Sequence, residues 1–160
     1  GPDYINPDTV EEIYAYAFYN YYILNITIVE NLKKIGYGAF YYYSSYFNRN
    51  VYIKDLEQWC KLDIIAEHSS PLYTYHSSYS ANLYVNGIKL SIFEIPNTIS
   101  EIKQFTFAYC NNLISIEMPS NVTSINRYAF YSCRNLTNIT LSKNLKSIIF
   151  LSKYFNPKYW

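Results

Sequence analysis

The sequence predicts an α/β repeat solenoid, in which stacked turns form a parallel sheet on the concave side and short helical turns on an irregular convex side. Two observations support this fold class. Similar segments recur every 22 or 23 residues, as from Ile13 to Ile35 and from Ile102 to Ile125. The 160 residues are 50% hydrophobic and 16% charged, which is typical of a folded globular protein rather than a disordered chain.

Each repeat carries a short motif of isoleucine, a small residue four positions later, and then phenylalanine. The motif begins at Ile13, Ile35, Ile102 and Ile125, and Ile148 lies one interval further on. A recurring motif at this interval indicates that the chain winds through the same local structure several times. The small residue leaves room for a tight turn beside the bulky phenylalanine ring.

A second pattern of five apolar residues, at relative positions 0, 3, 5, 9 and 12, ends at the isoleucine of the motif. It begins at Ile23, Leu90, Leu113 and Leu136. Positions 3 and 5 face the same side of a strand, so one strand cannot bury its apolar face alone. Stacked copies form a continuous core, which positions 9 and 12 fill from the opposite wall.

The clearest repeats, from 90 to 148, resemble BspA-type leucine-rich repeats. The resemblance rests on segments 94–99 and 108–113 and on their counterparts 117–125 and 129–136. It implies a right-handed leucine-rich-repeat solenoid. Members of this family are surface proteins of bacteria and some protozoa, associated with adhesion to host or neighbouring cells, so the resemblance also implies a surface role.

The middle of the chain departs from the repeat, because no clean copy lies in the 67 residues between Ile35 and Ile102. Residues 51–53 predict a strand, and Asp55 is a suitable N-cap for a short helix over 56–62. A polar loop follows over 68–80. Residues 83–85 then predict a strand that turns back at Asn86-Gly87, the strongest short hairpin signal.

We therefore predict one leucine-rich-repeat domain over 3–160, with regular repeats at about 10–48 and 90–150 and an irregular section at about 49–89. Gly1 and Pro2 are interpreted as a scar of tag removal, and 151–160 as a cap on the last strand edge. We also expect that further repeats of a longer chain adjoin this one.

Charge and hydropathy exclude several classes of partner. The formal net charge is +1, so no strong field attracts nucleic acid. No apolar run approaches the roughly 20 residues of a membrane helix, and no signal peptide is visible. The expected partner is a protein or glycan ligand, without nucleic acid and without a membrane span.

The cysteines and histidines do not predict a reactive site. Cys110 and Cys133 occupy the same repeat position and are interpreted as buried thiols, with a disulfide as the alternative. Cys60, His68 and His76 have no metal-site spacing. We predict no cofactor, no metal and no catalysis. The glycines of segment 36–38 lack the third glycine of a dinucleotide loop and predict a tight turn instead.

Glu94 and Glu117 both lie at position 4 of their repeats, which places them on neighbouring strands. A retaining glycosidase needs two carboxylates about 5–5.5 Å apart, but it also needs a pocket that a smooth sheet does not offer. The alternatives are a weak cation site and a pair of solvated carboxylates, of which the sequence favours the second.

The concave face is the predicted ligand surface, because tyrosine and polar residues alternate there with the inward apolar positions. Tyrosine supplies large contact area at low entropic cost. The alternative is that these tyrosines only stack between repeats. The predicted binding residues are Tyr52, Lys54, Tyr84, Glu94, Ser115, Glu117, Asn138 and Thr140.

Two tyrosine clusters, at 19–22 and 41–43, follow the first two motifs on the convex side or its rim. They predict aromatic ladders between adjacent repeats, an adhesive patch, or a contact with a missing repeat. The function that the whole sequence favours is a non-catalytic binding module, on a cell surface or secreted, for adhesion or interaction. An intracellular protein–protein scaffold with the same fold is the alternative.

Overall fold

A computed structural model describes residues 3–5, 7–43, 47–75 and 79–149. Over these residues the chain forms the predicted solenoid, in which front strands alternate with short rear strands. The strands in chain order are β1 (Asp3–Ile5), β2 (Glu12–Ile13), β3 (Asn25–Ile28), β4 (Lys34–Ile35), β5 (Arg49–Ile53), β6 (Asp63–Ile64), β7 (Ala81–Val85), β8 (Ile88–Lys89), β9 (Ile92–Glu94), β10 (Glu101–Ile102), β11 (Ser115–Glu117), β12 (Ser124–Ile125), β13 (Asn138–Thr140) and β14 (Ser147–Ile148).

The front strands form two sheets rather than one. In the first, β1, β3, β5 and β7 pair in parallel in that order, and β8 pairs with β7 antiparallel. In the second, β9, β11 and β13 pair in parallel. The predicted parallel pairing is confirmed. The division arises because β8 folds back onto the edge of β7.

The rear strands form two further parallel sheets, β2-β4-β6 and β10-β12-β14. Their register aligns the position-12 isoleucines, such as Ile102 and Ile125, which are fully buried. In the middle segment Ile64 takes this place, opposite Ile35. The prediction that position 12 fills the core from the opposite wall is confirmed.

The core follows the repeat pattern closely. In the repeat that begins at Leu113, all five patterned residues are 4% exposed or less. The phenylalanines of the motif stack between turns, with ring centroids 5.4 Å apart for Phe18 and Phe40 and 5.6 Å apart for Phe107 and Phe130. Each aromatic pair contributes about 0.5–1.5 kcal/mol beyond its buried area.

The rear turns depend on a left-handed backbone three residues after the motif isoleucine. Gly38 occupies this position with φ +63°, whereas Tyr16, Phe105 and Tyr128 adopt it with φ near +60°. A non-glycine residue there costs about 1–3 kcal/mol, which the surrounding packing offsets. Gly36 is needed for a different reason, since a Cβ would lie 2.5 Å from the backbone nitrogen of Ala15.

The middle segment contains the predicted helix and hairpin. The helix α1 spans Leu56–Lys61, and the Asp55 side chain accepts the Glu57 N–H at 2.8 Å as its N-cap. A single 3-10 turn follows at Glu67–Ser69. Asn86 and Gly87 both have positive φ, as a tight hairpin turn requires. The segment therefore supplies regular strands to the front sheet while its connections are irregular.

Arg49 anchors this segment and is only 1% exposed. Its Nε donates to the Ile23 carbonyl at 3.1 Å, and its Nη1 donates to the Phe40 and Tyr73 carbonyls at 3.3 Å each. Burial lowers the pKa of the guanidinium to about 10, so the group remains charged at neutral pH. The side chain thus joins three successive turns through their backbone carbonyls.

Two further side chains join the middle segment to the regular repeats. The buried Trp59 donates its indole N–H to the Thr106 carbonyl at 3.0 Å. The Asn112 amide bonds both backbone groups of Leu83 and the Leu90 carbonyl, so it holds both ends of the hairpin.

Two sequence predictions fall on other parts of the chain. The cap over 151–160 and the scar at 1–2 lie outside the described residues. No helix in the described part of the chain is long and apolar enough to cross a membrane.

Candidate functional site

The front face is the outward surface of β1, β3, β5, β7, β9, β11 and β13. Its first feature is a row of side chains at position 2 of the turns, counted from the first apolar residue of the repeat pattern. Asn25 donates to Asp3 at 2.8 Å, Asn50 donates to Asn25 at 3.1 Å, and Asn82 donates to Asn50 at 3.2 Å. This amide ladder crosses four strands, so each amide is held in place by its neighbours.

Tyr52 and Tyr84 lie beside the amide ladder at position 4 of β5 and β7. They are directly paired in the register, and their rings stack with centroids 4.9 Å apart. Both side chains are half-buried. Thr27 precedes them in the same row. The two rings therefore form one rigid aromatic platform on the front face.

Cations flank this platform. Lys54 is exposed and immediately follows β5, one residue beyond the strand. Lys89 lies opposite Tyr84 across the hairpin. Side-chain alternation along β5 predicts that Lys54 lies on the front face, whereas the position of Lys89 follows only from the hairpin register.

The second front sheet carries the remaining predicted residues. Glu94, Glu117 and Thr140 are directly aligned across β9, β11 and β13, and Ser115 is aligned with Asn138. The two glutamates are exposed neighbours, as predicted. Within the described residues, neither glutamate lines the cavities beside Lys103, Trp59 and Tyr109.

The structure thus places the predicted residues in two patches. Tyr52, Lys54 and Tyr84 belong to the first front sheet, and the other five belong to the second. The β7–β8 hairpin lies between the sheets. The prediction treats the face as one continuous surface, and it misses this division because the repeat spacing does not show which edge the hairpin covers.

The cysteines are buried free thiols. Burial raises the pKa of Cys60 and of Cys110 to about 12, and raises that of Cys133 as well. A thiol that stays protonated at neutral pH is a poor nucleophile and a poor metal ligand. His68 packs edge-on against Tyr41 and Tyr73, while His76 lies outside the described residues.

The tyrosine clusters form ladders between adjacent turns, which confirms one of the three predictions for them. Tyr19 stacks on Tyr41 with ring centroids 5.5 Å apart, and Tyr22 contacts Tyr42 at 6.0 Å. The row continues from Tyr41 to Tyr73 at 5.7 Å. Its outer rings remain exposed, so the ladder also presents aromatic surface to solvent.

A groove of about 600 Å³ lies on the rear, near β6 and β10, where the two rear sheets are not paired. Its charged side chains already have partners. Lys34 pairs with Glu12 at 2.9 Å, and Lys103 pairs with Asp63. The first pair lies within one rear sheet. The second joins the two rear sheets, as does the Gln104 amide, which donates to the Ile65 carbonyl at 3.4 Å, so we interpret the groove as a structural joint.

The family model of the BspA-type leucine-rich-repeat region matches residues 3–60 and 77–155 of this chain, in six copies. The chain belongs to this family. The resemblance noted from segments 94–136 is therefore confirmed, and it extends into the first turns. The match omits 61–76, the part of the chain that contains the 3-10 turn. Among curated proteins, none matches the chain.

Two solved structures are similar to this BspA-type protein. A leucine-rich cell surface protein of Faecalibacterium prausnitzii A2-165 is 15% identical, with a TM-score of 0.34, over 91% of this chain and 71% of that chain. The leucine-rich repeat protein of T. pallidum is 17% identical, with a TM-score of 0.43, over 95% of this chain and 72% of that chain. Neither likeness is close enough to transfer a property.

Three residues that form or support the front face are not predicted from the sequence. Asn50 and Asn82 continue the row of Asn25, a position that the alternation of β5 and β7 identifies once Val51 and Leu83 are read as inward. Arg49 carries no such signal, because a buried arginine looks like a surface residue in sequence.

Proposed function

We propose that this BspA-type repeat protein is a non-catalytic binding module that recognises a protein ligand through its front face, at the cell surface or after secretion. The observation that carries the proposal is the stacked pair of Tyr52 and Tyr84 beside the amide ladder. A rigid aromatic centre with a polar surround is the arrangement found at protein-binding hot spots.

The shape of the face favours a protein over a small molecule. Small-molecule sites are concave and bury most of their ligand. The rows of Asn, Tyr and Glu side chains instead follow paired strands, which gives a broad surface with side chains at strand spacing. Because the ladder amides already bond one another, little side-chain freedom is lost when a partner binds.

The family supports the location. Proteins with BspA-type repeats are associated with cell surfaces, so a surface or secreted role follows by analogy. An intracellular scaffold would use the same face, and a native leader sequence would distinguish the two. The raised pKa values of the buried thiols support a role without covalent chemistry.

The test is a binding screen of the purified chain against arrays of extracellular proteins and of glycans. Tyr84→Ala removes half of the aromatic platform, and we expect it to weaken binding of a protein hit by about 30-fold, as truncation of a hot-spot tyrosine does. Tyr14→Ala is the matched control, since Tyr14 is 72% exposed on the first rear turn.

Protein hits that are weakened by Tyr84→Ala but not by Tyr14→Ala support the front face as the binding surface. Hits that tolerate Tyr52→Ala and Tyr84→Ala would refute it. Glu117→Ala separates the two patches, because it changes the second sheet alone. Front-face-dependent hits on the glycan array alone would replace the protein ligand with a saccharide.

A further inference from the structure

A cleft of about 410 Å³ lies away from the front face, between the loop that follows β6 and the turns that precede β11 and β13. We name it the tyrosine cleft. Its lining residues include Glu67, Tyr73, Tyr75, Tyr109, Asn111, Tyr131 and Arg134, all outside the eight predicted front-face positions. Its volume falls in the lower part of the range of about 300–1,000 Å³ that small-molecule sites occupy.

The aromatic wall of the tyrosine cleft is rigid. Tyr73 and Tyr109 meet edge-to-face with ring centroids 5.0 Å apart, and Tyr109 and Tyr131 do so at 5.5 Å. Tyr73 and Tyr109 are each 7% exposed, so neighbouring side chains fix their rings. Tyr73 and Tyr109 therefore form the buried base of the wall. The ring surface open to a ligand belongs to the half-buried Tyr131 and to Tyr75, which is 49% exposed.

Glu67 and Tyr109 supply an oriented polar pair in the wall. The Tyr109 hydroxyl donates to the Glu67 carboxylate. Burial, followed by that carboxylate, raises the pKa of Tyr109 well above its usual range, so the hydroxyl keeps its proton. The second carboxylate oxygen of Glu67 has acceptor capacity for a ligand hydroxyl.

Asn111 provides a donor that the fold does not use. Its side chain is 7% exposed, and its Oδ1 accepts the Arg134 backbone N–H at 3.4 Å. Its amide nitrogen has no hydrogen-bond partner within the described part of the chain. Water reaches that nitrogen, so it can donate to an acceptor on a ligand in the cleft.

Among the described residues that line the cleft, Glu67 carries one negative charge and Arg134 one positive charge, so these charges balance. A strongly anionic or cationic ligand would meet a like charge in either case. A pyranose ring matches both parts of the wall: its C–H faces pack on aromatic rings, and its hydroxyl groups donate and accept in turn. We propose that the tyrosine cleft binds a neutral saccharide, which is a second binding site besides the proposed front face.

The experiment uses saturation-transfer-difference NMR of the whole chain with lactose, cellobiose and maltose as neutral probes and sialyllactose as the acidic comparator. At least one neutral disaccharide is expected to bind. Tyr75, which is 49% exposed, is the variant site of choice because its removal leaves the buried wall intact. We expect Tyr75→Ala to weaken binding by about tenfold, and Tyr75→Phe to keep it within about twofold.

Arg134→Gln tests the polar rim at an exposed position and should also weaken binding. Tyr14→Ala and the front-face variant Tyr84→Ala should leave it unchanged, which separates this site from the protein-binding face. The inference is overturned if none of the three neutral disaccharides binds, if sialyllactose alone binds, or if binding tolerates both Tyr75→Ala and Arg134→Gln.

Discussion

The regular repeats from 90 to 148 and the middle segment from 47 to 89 hold the same solenoid together by different means. In the regular repeats, apolar residues recur at fixed positions, and stacking buries all five of them in the repeat that begins at Leu113. In the middle segment, the front strands stay in register, but polar anchors such as Arg49 and Trp59 bond distant backbone carbonyls. The regular repeats also use hydrogen bonds between turns, but at repeated positions, as Asn121 and Asn144 show. The irregular connections need them at positions that no repeat supplies.

The anchors lie where the backbone would otherwise leave buried groups without partners. A buried carbonyl that loses its donor costs about 1–3 kcal/mol, so each irregular turn needs a side chain that reaches it. Asn112 shows that the regular part can supply such a side chain, since it bonds Leu83 in the hairpin from the following turn.

The largest effect on stability is expected from Arg49→Met. The substitution leaves the carbonyls of Ile23, Phe40 and Tyr73 without their donor, so we expect the free energy of unfolding to fall by about 3–5 kcal/mol. Urea unfolding followed by circular dichroism measures it. Arg127→Met is the matched change at an exposed site in the regular repeats and should cost less than about 1 kcal/mol. Equal stabilities of the two variants would show that Arg49 is not an anchor.

Alkaline pH is expected to destabilise the fold through buried thiols in both regions. Burial raises the pKa of Cys60 and of Cys110 from about 9 to about 12, so the unfolded chain binds fewer protons than the folded chain in this window. The contribution of each thiol to the free energy of unfolding is therefore fully present below pH 9. It falls as pH rises towards 12, by about 1.4 kcal/mol per pH unit for each thiol.

The variants Cys60→Ala and Cys110→Ala, one in each region, should each reduce that slope by the same amount. Urea unfolding at several pH values between about 8 and 11 gives the slopes. An unchanged slope in either variant would mean that the thiol in that region is not shielded from water.

The smallest expected effect is a change in the free energy of unfolding that has opposite signs in the two regions. Ser69, in the middle segment, is fully buried, and its hydroxyl has no hydrogen-bond partner in the described ranges. Ser69→Ala should therefore raise the free energy of unfolding by about 1 kcal/mol. Ser142, in the regular repeats, accepts the Asn144 N–H at 3.2 Å, so Ser142→Ala should lower it by about 1 kcal/mol. Thermal unfolding of the pair checks the signs, and a loss at Ser69 would reveal a partner for its hydroxyl.

Much of the fold was predictable because it repeats. The spacing of Leu113, Ile116 and Met118 predicts inward residues of a strand, and Asn86-Gly87 predicts the hairpin from two residues alone. The front-face residues were predictable for the same reason, since outward positions alternate with inward ones. Ile64 was missed as a core residue because it follows a helix rather than a repeat.

The sequence by itself determined the period, the inward and outward positions of each turn and the family. Those features are local, because side-chain alternation and turn chemistry act over a few residues. The tertiary structure alone decided that the front face divides at the hairpin, that Arg49 is buried, and that Tyr73, Tyr109 and Tyr131 line one cleft. These features join residues far apart in the chain, and stacking of turns, which no single repeat encodes, brings them together.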